Sequence, residues 1–262
     1  MGPRLEAIAV VWGRLQKNKM DIVIDIGNTL RKVAVFSEDG VLVRLFSEKQ
    51  LTIPFFEHLF EEFEIRRAIV SSVGEGDEEA LDWLDAHTRL VRFSHNCRLP
   101  ITLKYATPET LGTDRIANAV GANVLYPGKN VLSIMAGTCL VADFVNANGE
   151  YLGGSIAPGL RMRFQSLPQF TAKLPLVEPE NIDFLIGDTT QNSILSGVIN
   201  GMAAEIDGLI ERYSQNFDDL HIIFSGGDSP LLQNFIKKRI FAAQNPILFG
   251  LLKILKLNVS EN

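Results

Sequence analysis

An apolar run from Met20 through Ile26 meets a Gly27-Asn28 turn, and Lys32 to Phe36 follows with apolar and polar positions alternating. Short runs of this kind bounded by turn residues predict strands. Ser37 to Gly40 is the next turn signal, and Val41 to Phe46 reads as a third strand. The chain therefore opens on an antiparallel meander, with no GxGxxG after its first strand and none of the strand-helix start of a dinucleotide-binding fold. A further strand, Ala68 to Val73, runs into Gly74-Glu75-Gly76 and a helix from about Asp77 that places Ala80, Leu81 and Leu84 on one face.

The same order recurs downstream. Val131 to Met135 predicts a strand, Ala136-Gly137-Thr138 its turn, Cys139 to Val145 the second strand, and Tyr151 onward the third, after a hairpin signal at Asn148-Gly149. His221 to Phe224 is then a strand that meets Ser225-Gly226-Gly227-Asp228 and a helix through Phe235. Asp25-Ile26-Gly27-Asn28-Thr29 set beside Met135-Ala136-Gly137-Thr138 aligns the glycines and, with one gap, the threonines. Self-similarity on this scale predicts an α/β chain of two related halves, each a mixed sheet with helices, facing one another across a central cleft. The expected borders are 20–126 and 127–262, with 1–19 an extension outside the fold and Met20 the functional start.

Between the halves, Thr107-Pro108-Glu109 signals a helix start, and Thr113 to Leu125 continues as a helix that Tyr126-Pro127-Gly128 stops. Pro158 to Pro179 is proline-interrupted and predicts partial loop. From Asp188-Thr189 a helix runs to about Ile210, with Ile194, Val198, Met202 and Ile206 spaced as a core stripe.

Composition narrows the function classes. A net charge of -6 over 262 residues leaves no broad basic surface, so nucleic acid is not an expected partner. No apolar run reaches the roughly 18 residues of a membrane span, so no membrane partner is expected either. Cys97 and Cys139 lie far apart without metal-type spacing, which fits a reducing, cytoplasmic setting. The four histidines show neither ligand spacing nor a nucleophile pairing.

Small-residue turns between strands expose consecutive backbone N–H groups and let a phosphate approach; Gly27-Asn28-Thr29 and Ala136-Gly137-Thr138 are both of this kind. One such turn alone serves any hairpin, but two related turns and a strand-GlyGly-helix element together point to phosphate, with Gly226-Gly227 able to admit a flat ring or ribose. Asp25 stands where a hard oxygen ligand can hold Mg2+ through water, or can cap turn amides. Lys32 can neutralise a phosphate or lie at the surface. Asp114 opens a helix, where the dipole favours a carboxylate whatever its role; the functional alternative is a general base toward a substrate hydroxyl. Arg115 can pair with a substrate carboxylate or form an ordinary ion pair.

Taken in order, DIGNTLRK (Asp25–Lys32), ETLGTDR (Glu109–Arg115), AGTCLVADF (Ala136–Phe144), YLGGSIAPGL (Tyr151–Leu160), DTTQNSILSGVING (Asp188–Gly201) and FSGGD (Phe224–Asp228) resemble the motif set of type III pantothenate kinases, within the acetate-and-sugar-kinase/actin superfamily. The resemblance covers about Met20 to Asn258. It implies the duplicated actin-like (ribonuclease H-like) fold, ATP with Mg2+, pantothenate as acceptor, a monovalent cation such as K+ or ammonium, and a homodimer with the active site near the subunit interface. Asp25, Ile26, Gly27, Asn28, Thr29, Leu30, Arg31 and Lys32 would form the first phosphate loop, and Thr138 would touch ATP. Tyr105, Gly112, Thr113, Asp114, Arg115 and Thr190 would contact pantothenate, with Asp114 the general base.

The family pattern places Asp immediately before the second loop, as the monovalent-cation ligand, where this chain has Met135. Val141 likewise replaces a threonine, whereas Asp143 matches an acidic position. A thioether is a poor ligand for K+. The leading expectation is an active kinase with altered cation dependence. The alternatives are a catalytically impaired relative that binds nucleotide or pantothenate as a regulatory protein, and a superfamily kinase for another small hydroxy acid.

Overall fold

The computed structural model describes residues 19–27, 29–72, 77–238, 240–242 and 245–259. The extension expected over 1–19 therefore lies outside the described residues except for Lys19, as do Asn28 of the first loop and the Gly74-Glu75-Gly76 turn. In chain order the elements are β1 (Met20–Ile26), β2 (Arg31–Ser37), β3 (Leu42–Glu48), α1 (Ile53–Glu62), β4 (Ile65–Ser72), α2 (Glu78–His87), β5 (Arg89–Arg92), β6 (Thr102–Leu103), α3 (Thr113–Leu125), β7 (Asn130–Ala136), β8 (Cys139–Val145), β9 (Glu150–Pro158), α4 (Leu160–Phe170), α5 (Thr190–Asn216), β10 (Leu220–Ser225), α6 (Ser229–Leu232), β11 (Phe241–Ala242) and α7 (Pro246–Asn258).

Two mixed sheets result, ordered β3-β2-β1-β4-β5 and β11-β10-β7-β8-β9-β6. In the first, β1 is antiparallel to β2 and parallel to β4; in the second, β7 is antiparallel to β8 and parallel to β10. The order β3-β2-β1-β4-β5 thus repeats as β9-β8-β7-β10-β11, with β6 added beside β9. This is the duplicated α/β architecture that the repeated strand order predicts.

The chain forms two compact units that interleave in sequence: one holds residues up to Pro100, Glu109–Gly121 and Ile247–Asn262, the other Ile101–Pro108 and Ala122–Pro246. In the first unit, β1 is a nearly continuous β-branched run because both of its faces are covered. Ile22, Ile24 and Ile26 pack with Val33, Val35 and Val70 against Phe56 and Leu59 of α1 and Leu81 and Leu84 of α2. On the opposite face Phe36 meets Phe249 of α7 edge-on at 5.6 Å. Asp21 also lies on that face, fully buried, where Arg67 grips it with two bonds of 2.8 and 2.6 Å. Thr52 caps α1 by accepting from Phe55 N.

In the second unit Leu132, Ile134, Ala136, Leu140, Ala142, Phe144, Ile222 and Phe224 line one sheet face, against α4 and the α5 stripe of Ile199, Met202 and Ile206. By length and composition α5 is apolar enough to cross a membrane, with mean hydropathy 1.2 over its best window, yet half of that window is buried in its own unit. Its core stripe is the one the sequence predicts, and the helix continues to Asn216. The helix expected through Phe235 stops at Leu232 instead, and Phe235 N bonds to Leu232 O in a tighter turn. Within the proline-interrupted stretch, Leu160–Phe170 is helical with Pro168 inside it; the helix ends two residues later, where Thr171 Oγ1 donates to Leu167 O.

Candidate active site

The first unit carries the first loop and the Asp114 helix start. Gly27 N donates to Leu30 O at 3.1 Å, which closes a tight turn between β1 and β2. Thr29 and Leu30 are exposed, while Asp25, Gly27, Arg31 and Lys32 are half-buried. Ile26 is sunk in the apolar core, so it can offer a ligand only its backbone. Register fixes what stands beside Asp25: Lys32 on β2 and Ser71 on β4 are its cross-strand partners. Paired residues share a sheet face, so Asp25, Lys32 and Ser71 form one polar row at the strand ends.

Ser71 then ties this row to α3. Its hydroxyl donates to Thr113 Oγ1 at 3.3 Å. Asp114 follows in the first helical turn, half-buried, with Oδ1 accepting from Arg115 N at 2.9 Å. The carboxylate lies over Gly112, where a Cβ would overlap it, and Gly112 O accepts from both Arg115 N and Ile116 N. Arg115 is only 7% exposed. Leu111 O, just upstream, is held by His95 Nε2 at 2.8 Å. Nothing in the sequence marks Ser71; only strand register reveals it.

The second unit carries the second loop, Tyr105 and Thr190. Thr138 is exposed at the β7–β8 turn, and its carbonyl accepts from Gly159 N at 3.2 Å. Two glycines converge on this turn. A Cβ on Gly159 would overlap the carbonyls of Gly137 and Thr138, and one on Gly226, whose φ is +103°, would overlap the Ala136 backbone. Asp228 N completes the brace by donating to Ala136 O at 3.0 Å. Gly137 and Gly227 face open space instead. The loop thus offers amides and the Thr138 hydroxyl, held by close backbone packing.

Thr190 begins α5, which Thr189 caps by accepting from Asn192 N at 3.1 Å. Asp188 accepts from the Asn192 amide, and that bond lowers its pKa below the ordinary carboxylate value. Thr190 lines a cavity of about 590 Å³ together with Arg163, Ser166, Leu167 and Ser193. Thr138 is thereby tied to Gly159 at the start of α4, and Thr190 shares a cavity with Arg163, Ser166 and Leu167 of the same helix. Tyr105 lies over Gly153, its Cδ2 3.4 Å from where a Cβ would sit there, with its ring centroid 6.0 Å from that of Tyr151. Tyr151 donates to the buried Asp143 at 2.8 Å.

The residues flanking the second loop do not fit a monovalent cation. Met135 pairs with Val141 on β8 and Ser225 on β10, so the row that corresponds to Asp25, Lys32 and Ser71 has one hydroxyl and no charge. Hard cations take oxygen ligands. Among the described residues no three His, Cys, Asp or Glu gather as a metal cluster.

The sequence model of the family described as type III pantothenate kinase matches residues 21–212. This chain belongs to that family. A type III pantothenate kinase of Christiangramia forsetii is 46% identical over 243 residues, covering 92% of this chain and 100% of the relative. The Flavobacterium johnsoniae type III pantothenate kinase is 40% identical over 233 residues, covering 88% and 96%. Among solved structures, the activator of 2-hydroxyisocaproyl-CoA dehydratase from Clostridium difficile, with bound ADPNP, superposes at a TM-score of 0.50 with 13% identity over 91% of this chain and 94% of its own. A Campylobacter jejuni protein described as a Baf family transcriptional activator reaches 0.54 with 22% identity over 90% of this chain and 97% of its own. These two establish shared fold and no more. With the family in hand, the chain is a kinase of the duplicated actin-like class.

Proposed function

We propose that this pantothenate kinase transfers the γ-phosphoryl group of ATP to the terminal hydroxyl of pantothenate, giving 4'-phosphopantothenate in the first step of coenzyme A biosynthesis. Family membership supports the substrate pair. The observation that carries the division of roles is the Ser71–Thr113 bond, which joins the Asp25 row to the start of the Asp114 helix. As the new O–P bond forms and the bridging bond to the β-phosphate breaks, ADP leaves and Asp114 takes the hydroxyl proton. Backbone amides of the Gly27–Leu30 turn and of the second loop, with Thr138, hold the phosphates. Lys32 adds positive charge beside them. Asp25 suits Mg2+ as a hard oxygen ligand, and the ion supplies charge neutralisation at the phosphates. Gly112 to Arg115, Tyr105 and Thr190 hold pantothenate.

We read the enzyme as a cytoplasmic homodimer. Both cysteines are free, in accord with a reducing compartment, and the exposed Phe170, Leu185 and Ile186 offer apolar surface for a second copy. The non-catalytic alternative has Met135 and Val141 in its favour but leaves the Asp25 row and Asp114 without a task.

A coupled ADP-release assay with Mg-ATP and pantothenate tests the reading. The wild type should turn over only with pantothenate present, and Asp114→Asn should lower kcat by about 10²- to 10⁴-fold while leaving ATP binding intact. ATP binding without pantothenate-dependent turnover in the wild type would instead favour the binding-protein alternative.

A further inference from the structure

Arg31 ends the first loop and begins β2, and its Nε–H donates to Asp77 Oδ2 at 2.8 Å. The other oxygen of the same carboxylate, Oδ1, accepts from Leu51 N at 2.7 Å. The Asp77 side chain is 1% exposed and that of Arg31 14%. A buried carboxylate persists only when charge and hydrogen bonds compensate it, and both are supplied here by segments distant in sequence.

The position of Asp77 makes this use notable. It flanks the N-terminus of α2, where an Asp ordinarily accepts from the amides of its own helix, yet it makes no such capping bond. The carboxylate is turned instead toward the loop end and toward the connection between β3 and α1. One side chain therefore fastens three segments: Arg31, Leu51 and the start of α2. Arg31 is also in register with Ile26 on β1 and Glu48 on β3, so whatever fixes Arg31 fixes the far side of the Gly27–Leu30 turn.

We infer that Asp77 is a positioning residue for the first phosphate loop, acting through Arg31; this rests on the reading of Asp25 to Lys32 as that loop. The Nε–H of Arg31 is committed to Asp77, so Arg31 serves as a strut that holds the β2 end of the turn, with Thr29 and Leu30, in place for phosphate. Preorganised amides bind an anion without a reordering cost at the moment of binding. Loss of the strut then weakens ATP selectively, because pantothenate is held by other residues.

The test uses Asp77→Asn, which keeps an acceptor for Leu51 but removes the charge facing Arg31, and Arg31→Lys, which keeps the charge but removes the Nε–H. ATP affinity is measured by calorimetry, KM for ATP and for pantothenate by ADP release, and the melting temperature with and without ATP. Each variant is expected to weaken ATP about tenfold, a usual size for coupled neighbours, with pantothenate KM held within about threefold. The double variant should bind ATP no worse than the weaker single one. A lower melting temperature with unchanged ATP affinity would reduce the pair to a structural ion pair and overturn the inference. Equal losses for both ligands, or additive losses in the double variant, would overturn it too. If Asp77→Asn does not fold, Arg31→Lys carries the same comparison. The ATP arm stands by itself, so a wild type that binds ATP without phosphorylating pantothenate sinks the kinase reading and still leaves Asp77 judged.

Discussion

The two halves carry the same strand order and the same glycine turn, but not the same chemistry at its base. In the first unit the row across the strand ends is Lys32, Asp25 and Ser71; in the second, the corresponding row is Val141, Met135 and Ser225. The supports differ in the opposite sense. The first loop is braced by side chains, the Asp77–Arg31 pair and the Ser71–Thr113 bond. Gly159 and Gly226 brace the second by packing directly on its backbone. The two turns share a backbone plan, while the charged row stands in the first unit and its counterpart in the second carries no charge. Electrostatics and positioning dominate phosphoryl transfer, so one charged loop and one shaped loop can divide the work.

If shape alone sustains the second loop, the largest effect belongs to the glycine that gives it shape. Gly226→Ala places a side chain at φ +103° and drives a Cβ into the Ala136 backbone. The left-handed conformation alone costs about 1–3 kcal/mol, and the overlap adds to it. We expect a clear fall in melting temperature and about a tenfold or greater rise in KM for ATP, measured by thermal unfolding and ADP release. Gly227→Ala, facing open space, should change stability little. Equal tolerance of both substitutions would show that the second loop does not rely on close packing.

Met135→Asp probes the missing charge. The wild type should show the same rate and melting temperature in potassium, ammonium or sodium salts. The variant places a carboxylate opposite Ser225 and should gain a potassium response. At ten times its dissociation constant the ion would stabilise the folded variant by about 1.4 kcal/mol, or roughly 3–6 °C. A wild type that already responds to potassium would break the comparison, since another part of the chain would then be supplying the site.

Much of this contrast was legible in the residues. Both meanders follow from alternation and turn signals, and Met135 stood out against the motif pattern of the family that the chain resembles. Strand register was not legible, and register is what sets Ser71 beside Asp25 and Val141 beside Met135. Asp77 looked like a helix start, because an Asp ahead of a helical pattern signals a cap; its long-range bonds to Arg31 and Leu51 leave no local trace. The return of α7 to the first unit was equally hidden. Its apolar pattern fits either half, and what decides is the crossing at Gly250, where a Cβ would overlap Ala117 O of α3. The cavity beside Thr190 depends on how α4 and the segment after it fold back, and the prolines there signalled interruption without saying where the helix would lie.

The smallest expected effect tests whether the second loop conceals a working carboxylate after all. Asp228 braces Ala136 through its backbone N–H, and burial raises its side-chain pKa against the opposing pull of the Arg161 charge. A carboxyl group whose pKa is higher in the folded than in the unfolded protein binds its proton more tightly when folded. Stability is therefore undiminished below the unfolded value of 3.8 and falls as pH rises through the folded pKa; the loss is complete above it. Asp228→Asn keeps the backbone brace and removes the charge. It should raise the melting temperature slightly at neutral pH, with the gain vanishing in acid, and leave KM for ATP unchanged. A loss of ATP binding in this variant would mean that the second unit contributes charge through Asp228, and the division between a charged loop and a shaped one would have to be redrawn around that residue.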